Sequence, residues 1–69
     1  MSRYRLETEA DGGPRLSKGD YGDLACAVEM AGADLAGAIR AGQDRFAFVT
    51  DLTTGRQIYM GQAKGVIHA

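Results

Sequence analysis

The chain has 69 residues, of which 45% are hydrophobic and 25% charged, and its eight Lys and Arg stand against nine Asp and Glu for a formal net charge of -1. This length fills one core and no more, so a single domain over residues 1–69 is expected, with a stability of only a few kcal/mol. The near-neutral charge provides no strong field toward nucleic acid or acidic membranes, and the lone Cys26 with the lone His68 forms neither an internal disulfide nor a four-ligand zinc site.

The opening "MSRYRLETEADGG" carries basic residues without an apolar run of signal-peptide length behind them, and nowhere do about 18 apolar residues follow one another. A cytoplasmic, cofactor-free protein is the expectation. In "RYRLETEA", Tyr4, Leu6 and Thr8 alternate with Arg3, Arg5, Glu7 and Glu9. A period of two with one charged face predicts a half-buried antiparallel strand. The following "DGGPRLSKGD" concentrates Gly with the single Pro, so a flexible loop over about residues 11–19 is predicted, anchored to the core by Leu16.

From about Asp20 to Ala41 the spacing becomes helical, with Leu24, Val28, Ala31, Leu35, Ala38 and Ile39 on one stripe. Asp20 suits an N-cap, Asp23 the positive end of the helix dipole, and Gly42 a left-handed C' residue. Gly32 and Gly37 each cost about 0.8–1 kcal/mol relative to Ala inside a helix, which leaves a kink or break near Gly32 open.

The period then returns to two. In "RFAFVTDL", Phe46, Phe48, Thr50 and Leu52 alternate with Arg45, Ala47, Val49 and Asp51, and a turn around Thr53, Thr54 and Gly55 leads into Ile58 and Met60. Val66 and Ile67 suffice for a short last strand or a docked tail. The predicted fold class is α+β: one helix on a three- to four-stranded, mainly antiparallel sheet, in the order β-α-β-β with an optional final strand. The expected core sets the helix stripe against Tyr4, Leu6, Phe46, Phe48, Ile58 and Met60, leaving Ala47, Val49 and Tyr59 on the outer sheet face.

Catalytic readings find little support. His68 is penultimate, a poor place to hold a general base. Cys26 has no predictable base beside it and reads as a small apolar filler. Asp20 with Asp23, and Asp44 with Asp51, lack metal-loop spacing and read as capping and solubility. The glycines match neither phosphate-binding fingerprint. No enzyme activity, catalytic residue, metal or cofactor is expected.

The helix carries a second pattern. Cys26, Met30, Ala33 and Gly37 fall within about 60° of one another on a helical wheel, opposite the core stripe, with Asp23, Glu29, Asp34 and Arg40 at the margins. A flat strip of small residues admits another backbone, and Met30 adds a pliable apolar contact. Cys26, Glu29, Met30, Ala33, Gly37 and Arg40 are therefore the predicted partner-binding residues. An alanine-rich solvent face chosen for helix propensity, or a strip packing on its own copy, are the alternatives.

Two resemblances bear on function. "LACAVEMAGADLAGAIRAGQDRFAF" resembles the helix-turn-helix of small phage regulators of the excisionase kind, with Ala27, Ala31 and Gly32 as the small residues of the turn and the hairpin as a wing. It covers about a third of the chain, and the would-be recognition helix offers only Arg40 to bases, with Arg45, Arg56 and Lys64 for the backbone. In size and strand-helix-hairpin layout, the whole chain is similar to the compact α/β inhibitors encoded by phages and mobile elements, the anti-CRISPR proteins among them. That similarity is architectural and rests on no motif. It implies a stoichiometric inhibitor that occupies a surface of a larger host complex, such as a nucleoprotein effector complex. The charge, the lack of a long apolar run and the helix strip lead to the expectation of a monomer or weak homodimer with no membrane partner, direct nucleic-acid binding not being expected.

Overall fold

A computed structural model describes residues 2–10 and 12–64. Among these, strands β1 (Tyr4–Ala10), β2 (Arg15–Tyr21), β3 (Arg45–Asp51) and β4 (Arg56–Ala63) form one antiparallel sheet in the order β2-β1-β3-β4. Helix α1 (Leu24–Arg40) joins the two hairpins and lies on one sheet face, nearest β3 and β4 and least in touch with β2. The α+β class with one helix on a four-stranded antiparallel sheet is the one expected. The fourth strand comes from an unexpected place, because "RLSKGDY", expected to be mostly loop, forms β2. Being an edge strand exposed on both sides, with a bulge opposite Leu6 and Glu7, it has no buried side to impose apolar alternation. Leu16, expected as a core anchor, is 54% exposed. Val66, Ile67 and His68 lie outside the described residues.

The helix is continuous through Gly32. Asp23, not Asp20, is its N-cap: the Asp23 carboxylate accepts a hydrogen bond from the Cys26 amide at 3.3 Å. At the other end Gly42 has φ +72°, its amide donating to the Ile39 carbonyl and the Gln43 amide to that of Ala38, the paired bonds of a Schellman motif. The expected C' role of Gly42 holds.

The inner sheet face corrects the expected core. Leu6 pairs with Val49 and Val49 with Tyr59, while Thr8 pairs with Ala47 and Ala47 with Gly61. From above, α1 contributes Ala27, Ala31, Leu35 and Ala38. Tyr4 and Leu6 face inward as expected, but Ala47, Val49 and Tyr59 also face the helix, so Phe46, Phe48, Ile58 and Met60 belong to the opposite face. On α1, Ala27 joins the buried stripe at its N-terminal end, Val28 is half-buried, Leu24 is exposed and Ile39 is 51% exposed. The cause is close approach. A Cβ at Gly61 would stand 2.7 Å from Leu35 Cδ1 and 2.9 Å from the Tyr59 hydroxyl, so the helix rests on the sheet where side chains are smallest.

Asp51 also differs from its expected solubility role. It is buried, accepts hydrogen bonds from Arg3 Nε at 3.1 Å and Nη2 at 2.9 Å, and accepts another from the Thr53 amide at 2.9 Å. With the Leu52 amide donating to the Arg3 carbonyl at 2.7 Å, this pair ties the chain's start to the β3–β4 turn.

Candidate contact surfaces

Two surfaces stand out, one on each side of the domain. The first is the outward side of α1. Cys26, Glu29, Ala33 and Arg40 are exposed, Gly37 is half-buried, and Met30 is 44% exposed. The wheel reading therefore brings its six residues onto one outward side of one unbroken helix, and the exposed Cys26 is not the filler it was expected to be. The margin is narrower than expected. Asp34 is half-buried and accepts a 2.7 Å bond from Arg45 Nη1, whose other arm donates to Gln43.

The second is the uncovered sheet face, whose side chains stand in three rows. Asp20, Arg5, Thr50 and Gln57 form the first, with the bulge residue Ile58 beside them. Ser17, Glu7, Phe48 and Met60 form the middle row, and Arg15, Glu9, Phe46 and Gln62 the third. Over β2 and β1 the residues are charged apart from Ser17, whereas over β3 and β4 Phe46, Phe48, Ile58 and Met60 stand among Thr50, Gln57 and Gln62. Phe46 and Phe48 stack with ring centroids 6.3 Å apart. Arg15 stretches across β1 to place its guanidinium carbon 3.9 Å from the Phe48 ring centre, passing 3.8 Å from a Glu9 carboxylate oxygen. Phe48 is thus only 7% exposed although no layer covers it, while beside it Met60 is 58% exposed.

Electrostatics on this face is ordered. Arg5 grips Asp20 with bonds of 2.9 and 3.2 Å, which hold the Asp20 carboxyl below the usual carboxylate range and raise the Arg5 guanidinium further. At the sheet's end, Arg3 holds the Asp51 carboxyl down, with burial opposing it and the Thr53 amide assisting. Both carboxylates are kept charged, which suits them to ion pairing. Among the described residues no cluster of three or more His, Cys, Asp or Glu is placed to hold a metal, and no helix is long and apolar enough to cross a membrane.

Sequence reasoning missed the aromatic sheet face because it assigned the phenylalanines to the core. The available signal was the run of small residues at alternate positions, Ala47 on β3 and Gly61 and Ala63 on β4, which matches an alanine-lined helix. The helix-turn-helix resemblance does not carry into the geometry: α1 has no turn at Ala31 and Gly32, and Arg45 is engaged by Asp34 and Gln43. Scans against family models, curated proteins and solved structures each find no match for this chain.

Proposed function

We propose that this chain is a non-enzymatic protein-binding module that works in the cytoplasm as a stoichiometric inhibitor of a larger host complex, in the manner of anti-CRISPR proteins. One observation supports this reading above the others. The domain keeps alanines inside, with Ala27, Ala31, Ala38, Ala47 and Ala63 buried, and leaves Met30, Ile58 and Met60 largely outside. Apolar bulk on the surface of so small a domain favours contact with another macromolecule.

The partner contact in this reading is the α1 strip of Cys26, Glu29, Met30, Ala33, Gly37 and Arg40. Its shallow profile suits a flat protein surface, and Met30 supplies the adaptable apolar contact at its centre. Affinity capture from host extract, run in parallel with wild type and Met30→Arg, tests it. Wild type should retain a protein complex that Met30→Arg loses while its circular dichroism stays native. Equal capture by both removes the strip as the site, and recovery of nucleic acid without protein overturns the reading.

A further inference from the structure

The uncovered sheet face, with Ile58 and Met60 exposed, is a surface that this function leaves unused, and its charges identify what covers it. We propose that it is the interface of a two-fold homodimer in which two copies stack sheet to sheet, with both helices outward.

The argument lies in the order of the charges. On the β2–β1 half, the first row reads Asp20 then Arg5, and the third row reads Arg15 then Glu9, so the signs reverse between rows. Consider a two-fold axis lying between the sheets and running across the strands along the middle row. It keeps each strand over its own copy and exchanges the first and third rows. Asp20 then meets Arg15 of the other copy and Arg5 meets Glu9, on both sides of the axis. The Arg5–Asp20 and Arg15–Glu9 pairs within each copy join into closed four-charge networks, the arrangement in which surface ion pairs contribute most.

On the β3–β4 half the same rotation sets Met60 on its own copy at the centre, with the Arg15 guanidinium already lying over Phe48. An axis along the strands has no such match. Centred on the sheet, it lays the carboxylates of β1 over the phenylalanines of β3, and shifted to the β3–β4 half it leaves the charged half without a partner. Stacked sheets pack about 10 Å apart with strands within about 30° of each other, which short strands accommodate.

The face spans four strands of about 4.8 Å spacing and roughly 23 Å of strand length, or about 440 Å² in plan. That is below the roughly 800 Å² per partner of a standard stable interface, so the dimer is weak and concentration-dependent. Within the rows Glu7 meets its own copy on the axis, with the exposed bulge residue Lys18 outside the rows, and this like-charge meeting provides a test of the register.

Sedimentation equilibrium of the full chain from micromolar to millimolar concentration reads this directly. Wild type should pass from monomer to dimer. Arg15→Glu and Asp20→Arg should each weaken self-association by about tenfold or more, because each places two like-charge contacts in the dimer. An equimolar mixture of the two variants should recover association through the mixed dimer, since Glu at 15 then faces Arg at 20 in one contact and the native Asp20 faces Arg15 in the other. Glu7→Gln should tighten the dimer, and Met30→Arg should leave it unchanged, which separates this result from the fate of the α1 strip. A wild type that stays monomeric at millimolar concentration overturns the proposal. So does a mixture that stays as weak as its components, or a dimer that Met30→Arg dissociates.

Discussion

Beneath α1, strands β3 and β4 present Ala47, Val49, Gly61 and Ala63; on their other side the same strands present Phe46, Phe48, Ile58 and Met60. Over these two strands the covered face carries less apolar bulk, Tyr59 being its one aromatic. Residue size here follows the distance of the neighbouring layer. At Gly61 an added carbon would press on the ends of the Leu35 and Tyr59 side chains, so bulk on this side displaces them, whereas no helix lies over the other side. The covered face therefore specifies the fold, and the open face has no helix over it.

The sharpest way to break this comparison is to truncate one side chain on the covered face. Leu6→Ala should cost about 3–4 kcal/mol in urea unfolding, a large part of the stability of so small a domain, because Leu6 is 2% exposed and the cavity cannot be filled. An effect below about 1 kcal/mol would mean that the helix does not seal this face. Gly61→Val comes next. It adds bulk where a Cβ already stands 2.7 Å from Leu35 Cδ1 and should cost about 2–3 kcal/mol, read as a lowered thermal midpoint.

Asp51→Asn should lower the midpoint by less, and its signature is the acid limb. The folded-state pKa of Asp51 lies below its unfolded value, so its stabilisation is complete above about pH 3.9 and is lost as pH falls through the folded-state pKa. Wild type should lose stability over that window, and Asp51→Asn should show a flatter decline there; parallel profiles would assign the acid limb elsewhere. Met60→Glu on the open face should change monomer stability least, by under about 0.5 kcal/mol, since it exchanges one solvent-facing side chain for another. A loss as large as that of Leu6→Ala would erase the distinction between the faces.

What could be read from sequence follows the same division. The period of β1 was legible because Leu6 and Thr8 are buried while Arg5 and Glu7 lie on the open face, and α1 and the β3–β4 hairpin were legible because their periods and turn residues are local. Strand β2 was not, because neither of its sides is buried enough to select apolar residues. The facing of β3 is not legible from apolarity alone because both of its sides are apolar, with the larger Phe46 and Phe48 on one and Ala47 and Val49 on the other, and the structure sorts them by size against a closely seated helix. Reading β2 as a loop makes Asp20 a helix cap and hides its pairing with Arg5 across two strands. The outward strip on α1 needed only the helical period, and its six residues lie where the wheel puts them.

The central claim, that the open face is built to be covered, is most directly tested by following side-chain NMR resonances of the native chain as its concentration rises. The Phe46 and Phe48 rings and the Met60 methyl should shift progressively, while the methyls of Leu6 and Val49 inside and Met30 on the helix stay fixed. Open-face resonances that do not move, or a Met30 methyl that moves in their place, would contradict it.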